Sequence, residues 1–170
     1  EDIEPEQRRN FLEIILRQTS RLQALIEDLL MLSRLENSRA VAAIPLDPTK
    51  LSAVVQAAVQ TCGRLAEDKN ITISVACEED LLAQANPELL ERALVNLIEN
   101  AVKYSPAGTE TRVLGRREAG WIKLTVQDQG PGVPKEHRER IFERFYRVDK
   151  ARSRQMGGTG LGLSIAKHIV

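Results

Sequence analysis

Residues 96–105 read Asn-Leu-Ile-Glu-Asn-Ala-Val-Lys-Tyr-Ser and form the second half of a helix that is predicted to run from Pro87 to Tyr104. Proline suits the first turn of a helix, and the run Ser-Pro-Ala-Gly that follows Tyr104 ends it. Four polar side chains, spaced three or four residues apart, share one face of this helix: Asn96, Asn100, Lys103 and Tyr104. Asparagine oxygens can ligate Mg²⁺ and lysine can meet phosphate, so this face either binds a ligand or is an ordinary solvated surface.

The segments on either side of this helix predict an α/β fold. Before it lie a helix over residues 49–68, capped by Asp47 or Thr49, and strands at 71–75 and 81–84. After it come strands at 110–117 and 121–127, which form a hairpin, then a short helix near 135–145 and a final helix from Leu161. Because helices and strands interleave without regular βαβ units, the sequence predicts a two-layer α/β sandwich with a mixed sheet.

The first 38 residues are predicted to form a helical arm. Between Pro5 and Glu36 there is no glycine and no further proline, and mostly apolar residues recur in alternating steps of four and three, which is a heptad seam. The seam comprises Phe11, Ile15, Gln18, Leu22, Leu25, Leu29 and Leu32. We expect this coiled-coil-like arm, residues 1–38, to be an oligomerisation element, the alternative being that it covers the following domain. Residues 39–48 are predicted to be a linker, and residues 49–170 the second domain.

Composition narrows the classes of function. The 170 residues include 24 basic and 24 acidic ones, so the net charge is zero, and no long block of one sign suggests nucleic-acid binding or a membrane-binding patch. Any anion site must therefore be local. Cys62 and Cys77 are too far apart in sequence for a metal knuckle or a redox pair, which fits a reducing cytoplasm. No apolar run reaches the roughly 18 to 20 residues of a membrane span, so none is expected in this sequence.

A turn after the last predicted strand is the second candidate element. Ile122, Leu124 and Val126 point to one side of that strand, and Asp128 continues their parity toward the apolar layer. Gly130 and Gly132 would let the backbone turn sharply away, which leaves Asp128 at the floor of a pocket. There it could accept a hydrogen bond from an amino group such as adenine N6. The alternative is an ordinary aspartate-containing turn.

A glycine cluster near the end of the sequence is the third element. Residues 157–163 read Gly-Gly-Thr-Gly-Leu-Gly-Leu and lead into a helix start, where free backbone amides and the helix dipole favour phosphate. The cluster is not a P-loop, because no Lys-Ser/Thr follows a glycine, and a dinucleotide fingerprint would require glycine at Leu163. Basic residues crowd the preceding segment, which is either a positively charged lid or a solvated loop: Arg144, Arg147, Lys150, Arg152 and Arg154.

In order and spacing, these elements resemble the N, G1, F and G2 boxes of the catalytic domains of sensor histidine kinases. The boxes correspond to residues 96–105, 128–132 (Asp-Gln-Gly-Pro-Gly), 141–147 (Ile-Phe-Glu-Arg-Phe-Tyr-Arg) and 158–163 (Gly-Thr-Gly-Leu-Gly-Leu). The arm resembles the second helix of the dimerisation and phosphotransfer domain of these kinases. The resemblance covers nearly the whole chain, and it implies the Bergerat-type ATP-binding fold.

The resemblance also implies a role for each box. Asn100, together with Asn96, would bind Mg²⁺, and Asp128 would read adenine from the turn that contains Gly130 and Gly132. The triphosphate would be approached by Lys103, Tyr104 and Arg147. The G2 residues would wrap the phosphates: Gly158, Thr159, Gly160, Leu161 and Gly162. Aromatic residues of the F box would anchor the lid, although each also fits a core position: Phe142, Phe145 and Tyr146. The expected catalytic groups are Asn100, Lys103 and Arg147.

For the whole chain, the resemblance implies an ATP-dependent protein-histidine kinase module. It would transfer the γ-phosphoryl group of ATP to a histidine, for relay to an aspartate of a response regulator, within a homodimer formed through the arm. In these kinases an acidic residue and, a little later, a proline follow the acceptor histidine, and neither His137 nor His168 fits; both are predicted to be ordinary surface residues. We therefore expect the acceptor upstream of this sequence and any membrane anchor in other parts of the parent protein. The resemblance also implies two further sheet strands after the G2 helix, which are either deleted or not represented in this sequence.

The same superfamily also contains ATP-hydrolysing chaperones, mismatch-repair proteins and type II topoisomerases. These resemble one another in a glutamate four residues before the metal-binding asparagine, where it can activate water. Asn96 stands at that place here and cannot accept a proton, and Glu99 lies about 100° around the helix from Asn100, so transfer is favoured over hydrolysis. The open alternatives are a nucleotide-sensing or dimerisation module without kinase turnover, and another ATPase or serine kinase of the superfamily.

Overall fold

The computed structural model describes residues 4–149 and 158–170. Its helices are α1 (Pro5–Glu36), α2 (Ser38–Ala42), α3 (Leu51–Glu67), α4 (Pro87–Tyr104) and α5 (Gly162–Ile169). Its strands are β1 (Asp47–Lys50), β2 (Thr72–Cys77), β3 (Leu82–Ala85), β4 (Glu110–Glu118) and β5 (Trp121–Gln127). Two short 3-10 turns follow the sheet. The turn Lys135–His137 precedes the F box, and the turn Arg140–Phe142 overlaps its first residues. Outside the described residues lie Gly157 and three basic residues of the predicted lid, Lys150, Arg152 and Arg154.

The strands form a mixed sheet and a small separate ribbon. β2 pairs with β4 in parallel and β4 pairs with β5 antiparallel, which gives the order β2-β4-β5. The β4–β5 hairpin turns through Ala119 and Gly120, which both have positive φ angles, as a two-residue hairpin loop prefers. β1 and β3 pair antiparallel with each other. With α3 and α4 packed against it, the mixed sheet confirms the predicted two-layer α/β sandwich.

The main core lies between α3, α4 and one face of the mixed sheet. Both helices carry apolar residues at steps of three and four, and the sheet contributes alternate residues of its strands. The buried members of this cluster are Val54, Val55, Ala58, Cys62, Ala66, Ile71, Leu94, Val95, Ile98, Val102 and Val113. At the start of α4, the Oδ1 of Asn86 accepts a hydrogen bond from the Leu89 amide at 3.0 Å. This cap and the burial of one stripe fix the rotation of α4, so Asn96 and Asn100 stay outside the main core.

Helix α1 has two parts with different surroundings. Its apolar side chains from Phe11 to Leu30 are largely exposed in this single chain, Phe11 to 56%. Near its end, Leu32 and Leu35 are buried against Leu161 and Ile165 of α5. The arm therefore leaves most of its large apolar side chains from Phe11 to Leu30 uncovered, and its end covers one end of the following domain.

The predicted cap of α3 is wrong. Residues 47–50 form β1, which pairs with β3, and the Thr49 hydroxyl lies 3.0 Å from the Ala85 carbonyl oxygen. The residue before α3 is Lys50, which makes no side-chain cap. Thr49 is therefore bound to the ribbon, and neither it nor Asp47 is available to the helix amides.

Two further segments differ from the sequence-based expectation. Residues 38–42, where the predicted arm meets the predicted linker, form α2, because the Oδ1 of Asn37 accepts hydrogen bonds from the Arg39 and Ala40 amides. The predicted helix near residues 135–145 is instead a pair of 3-10 turns. Pro134 precedes the first of these turns, and the extended backbone of Glu143 ends the second.

Candidate functional site

The polar face of α4 meets the start of α5 at Asn96. A Cβ atom built on Gly162 would lie 3.0 Å from the Oδ1 of Asn96, so glycine lets the two helices approach closely. The Nδ2 of Asn96 is buried and has no hydrogen-bond partner among the described residues. A buried amide without a partner costs free energy, and a ligand between the two helices would remove that cost.

Further along α4, the same face carries a half-buried asparagine and an ion pair. Asn100 follows Asn96 by one helical turn, and the Nζ of Lys103 lies 2.6 Å from the Oε2 of Glu99. Tyr104 completes the face and is 37% exposed. The structure thus places the predicted N-box side chains together on α4, with the Lys103 charge paired to a carboxylate.

Lys69 is a supporting residue of this helix that sequence reasoning missed. From the turn between α3 and β2, its Nζ donates to the carbonyl oxygens of Val102 at 2.8 Å and of Lys103 at 2.6 Å. These are orphan carbonyls of the last turn of α4, where a cation also complements the helix dipole. Its partners are main-chain atoms more than 30 residues away, so no sequence pattern marked it.

Asp128 lies in an exposed turn after β5 and not beneath the apolar layer. The chain leaves β5 at Gln127, and the Gly130 amide donates to the Oδ1 of Asp128 at 2.7 Å. Gly132 has a φ of +72°, and a Cβ on Gly130 would lie 3.3 Å from the Tyr104 carbonyl oxygen. The sharp turn predicted from the two glycines is therefore present, and it brings Asp128 beside the end of α4.

The F box and the G2 box are joined by main-chain contacts. The Phe145 amide donates to the Gly160 carbonyl at 2.9 Å, and the Arg147 guanidinium donates to the Gly158 carbonyl. Gly160 has a φ of +79°, and a Cβ there would lie 3.0 Å from the Cα of Phe145. These contacts place the predicted phosphate-binding residues beside Arg147.

Thr159 of the G2 box is tied to the arm. Its hydroxyl donates to the Oδ2 of Asp28 at 3.0 Å, and the Leu161 amide lies 3.3 Å from the same hydroxyl oxygen. The Oδ1 of Asp28 accepts a hydrogen bond from Arg92 of α4 at 2.7 Å. Asp28 is a second residue that sequence reasoning missed, because on the arm it looks like an ordinary polar position between seam residues.

The aromatic residues of the F box are not core residues. Phe142 and Phe145 are both more than one third exposed, and Phe145 has a φ of +61°. Tyr146 is half-buried, and its hydroxyl lies 2.6 Å from the Nδ1 of His137. His137 is thus a partly exposed residue that supports the F-box tyrosine.

His168 is also bound to its surroundings. Its Nδ1 lies 2.8 Å from the Ser164 carbonyl oxygen, and its Nε2 lies 3.6 Å from the Oε1 of Glu36. Glu36 in turn pairs with Arg144 of the F box. The last turn of the arm thus contacts both the F box and α5.

The chemistry of the site rests on amides and phosphate-binding groups. Within residues 4–149 and 158–170, no group of three or more His, Cys, Asp or Glu side chains could hold a metal ion. Burial raises the pKa of the Cys62 thiol to about 11 and also raises the pKa of Cys77, so neither is a thiolate at neutral pH. The unpartnered Nδ2 of Asn96 is a hydrogen-bond donor and fits a phosphate oxygen. The side-chain oxygens of Asn96 and of Asn100, one turn further, are of the kind that ligates a cation shared with phosphates.

Two family models match this sequence. The model described as histidine kinase-, DNA gyrase B-, and HSP90-like ATPase matches residues 85–170, and the model described as His Kinase A (phospho-acceptor) domain matches residues 1–38. Fold, site and match together define an ATP-binding module. The chain belongs to the histidine kinase-, DNA gyrase B-, and HSP90-like ATPase family, and within it to the catalytic regions of two-component sensor histidine kinases.

Curated relatives agree with this assignment. The sensor-like histidine kinase SenX3 of Mycolicibacterium smegmatis is 39% identical over 166 residues, which are 98% of this chain and 43% of the relative. The phosphate regulon sensor protein PhoR of Pseudomonas aeruginosa is 36% identical over 172 aligned residues, covering 100% of this chain and 38% of the relative. The chain therefore spans less than half the length of these relatives. The predicted resemblance to sensor histidine kinases is confirmed.

A solved structure agrees as well. The crystal structure of full-length ShkA in complex with AMPPNP is 28% identical and has a TM-score of 0.76, covering 99% of this chain and 34% of that one. Among the helices of the described residues, none has the length and apolar character that a membrane span requires.

Proposed function

We propose that this chain binds Mg-ATP between α4 and α5 and transfers the γ-phosphoryl group to a histidine that lies outside the sequence. The observation that carries the proposal is the meeting of Asn96 with the first residue of α5, Gly162, beside a buried amide nitrogen that lacks a partner. First-turn amides of a helix have no acceptor within the helix, and α5 has no side-chain cap. Phosphate oxygens between the two helices would satisfy both sets of donors.

The proposed mechanism is positioning and charge stabilisation. Asn100, with Asn96, would offer amide oxygens to Mg²⁺, which when bound offsets phosphate charge. Lys103 would turn from its part-buried ion pair with Glu99 toward the phosphates. Arg147 lies against Gly158 of the G2 box and would offset the charge that develops on the transferred group.

The remaining predicted residues would contact adenine, the phosphates and the lid. Asp128 would accept a hydrogen bond from the adenine amino group, with Gly130 and Gly132 holding the turn beside the end of α4. The G2 residues would enclose the phosphates: Gly158, Thr159, Gly160, Leu161 and Gly162. Tyr104 and Phe145 would flank the nucleotide and the lid. Because Asn96 cannot act as a general base, transfer is favoured over hydrolysis.

The uncovered seam of the arm supports a homodimer in the parent protein. Contiguous exposed apolar residues mark interaction surfaces, and α1 carries nine large ones from Phe11 to Leu30: Phe11, Leu12, Ile14, Ile15, Leu16, Leu22, Ile26, Leu29 and Leu30. We propose that a second copy covers this seam, and that the phosphohistidine is relayed to an aspartate of a response regulator. Because ATP and such regulators are cytoplasmic, we place the module in the cytoplasm, within a sensor whose membrane anchor is encoded elsewhere.

Calorimetry with a non-hydrolysable ATP analogue tests the binding step. We expect saturable, Mg-dependent binding that Asn100→Ala and Asp128→Ala each weaken at least tenfold, because each removes a direct ligand contact. The matched controls are Asn10→Ala on the exposed arm and Asp80→Ala in an exposed turn, which should bind as the unmodified chain does. Equal binding by the Asn100 and Asp128 variants would contradict the proposed site.

Radiolabel transfer tests the chemical step. The chain is mixed with labelled ATP and with the phosphotransfer domain of a sensor kinase relative that carries its own histidine. We expect label on that domain that is lost in acid and kept in base, as a phosphohistidine requires, and no label when Asn100→Ala is used. Release of free phosphate without any labelled domain would favour an ATPase instead.

A further inference from the structure

Asp28 connects the arm to both walls of the proposed site, which are α4 on one side and the G2 box with α5 on the other. Its side chain is 7% exposed, and each of its oxygens has a different partner. Oδ1 accepts from Arg92 of α4 at 2.7 Å, and Oδ2 accepts from the Thr159 hydroxyl of the G2 box at 3.0 Å. A carboxylate this buried is costly unless it is paired, and here the pairing spans three separate elements.

The Thr159 hydroxyl passes this link on to the start of α5. While it donates to Asp28, its oxygen lies 3.3 Å from the Leu161 amide, which fixes the last residues before the helix. Leu161 itself is fully buried, and Gly162 rests against Asn96. The direction of the first-turn amides of α5, relative to α4, therefore depends on where Thr159 is held.

We propose that Asp28 is a positioning residue for phosphate binding. It holds Thr159, and through it the start of α5, at the separation from α4 that the nucleotide phosphates require. The inference rests on the proposed function but assigns this role to a residue of the arm, which touches no reacting atom. Arg92 of α4 balances the charge of Asp28 and orients its carboxylate.

A purely structural role would give a different pattern of effects. If Asp28 only neutralised Arg92, then any losses of affinity from changes at Asp28 and at Thr159 would be independent and would add in the double variant. If Asp28 only stabilised the fold, then all ligands would bind more weakly in proportion to the unfolded fraction. The positioning role instead predicts a loss that is specific for phosphates and shared by Asp28 and Thr159.

The experiment compares a triphosphate analogue with adenosine on the whole chain. We expect Asp28→Ala, Asp28→Asn and Thr159→Val each to bind the analogue about tenfold more weakly, as loss of a hydrogen bond to a charged group implies. Adenosine affinity should stay unchanged, because the adenine side of the site is not touched. The double variant should bind no more weakly than either single variant, since both changes break one link.

Matched variants separate this link from general damage. Thr159→Ser keeps the hydroxyl and should recover most of the affinity that Thr159→Val loses, while Glu27→Ala tests the exposed neighbour on the arm and should have no effect. Thr159→Val leaves the main core intact and decides the question if Asp28→Ala does not fold. Unchanged binding of the analogue by the Thr159→Val and Asp28→Asn chains, or an equal loss for adenosine, overturns the inference. No analogue binding by the folded, unmodified chain would instead overturn the proposed function, and this inference with it.

Discussion

Two apolar clusters hold the two walls of the site, and they differ in size and in origin. Counting the described residues alone, the N-box helix α4 sits in a main cluster with 11 buried members from α3, α4 and the segments around the sheet. The G2 helix α5 sits in a cluster with four such members, half of them supplied by the end of the arm. Between the walls, the F and G2 boxes are held by a backbone hydrogen bond and by the Arg147 side chain, which donates to the Gly158 carbonyl. One wall is therefore fixed by burial, and the other depends on the arm and on polar contacts.

Leu94→Ala tests the wall that burial fixes, and it should have the largest effect. Leu94 is 2% exposed in the main cluster, so truncation leaves a cavity and lowers the free energy of unfolding by about 2 to 5 kcal/mol. Urea denaturation followed by circular dichroism measures this. Leu82→Ala, at a leucine that is 58% exposed on β3, is the matched control and should change stability by less than about 0.5 kcal/mol. Similar losses for both variants would mean that α4 does not depend on this cluster.

Gly160→Ala tests the wall that polar contacts hold, and its effect on stability should be smaller. The φ of +79° costs an alanine about 1 kcal/mol, and the new Cβ would lie 3.0 Å from the Cα of Phe145. Because that neighbour is main chain, the F and G2 boxes must separate, so the ATP analogue should bind at least tenfold more weakly. Thermal unfolding and calorimetry on the same samples measure both effects.

Gly108→Ala is the control for Gly160→Ala. Gly108 has nearly the same φ, +77°, but a Cβ there would meet nothing within 4 Å. It should lose similar stability from backbone strain and bind the analogue normally. If both glycine variants lost affinity equally, the contact between the F and G2 boxes would not be what shapes the site.

The difference between local patterns and contacts that span long stretches of sequence explains which features could be predicted from the sequence. The helix from Pro87 to Tyr104 and the β4–β5 hairpin follow from local periodicity, a proline and a turn, so their positions were predicted to within one residue. The link from Asp28 to Thr159 spans 131 residues, and the contact from Lys69 to Val102 spans 33. Such pairs depend on tertiary packing, which leaves no local pattern. The exposed position of Asp128 likewise depends on where the chain leaves β5, since alternation along the strand does not continue into the turn.

The last prediction is a pH dependence of stability that arises inside the main cluster. Burial, with a further contribution from Glu99, raises the pKa of the Cys62 thiol from 9.0 to about 11. Between these values the folded chain keeps a proton that the unfolded chain releases, so stability falls as pH rises. The contribution of the protonated thiol is complete below pH 9 and is lost between pH 9 and about 11. In Cys62→Ala this loss is absent, so the stability gap between the two chains should narrow across that window.

Urea denaturation at a series of pH values measures the stability of both chains. Ionisations that the two chains share cancel in the difference between them. Cys77→Ala is the matched control. Burial also raises the pKa of Cys77, but this side chain is only partly buried, so the stability difference between Cys77→Ala and the unmodified chain should change less with pH. If the difference in stability between the unmodified chain and Cys62→Ala stayed constant from pH 8 to 11, water would reach the thiol beneath α4. The packing between α3 and α4 would then admit more water than the buried cluster around Cys62 indicates.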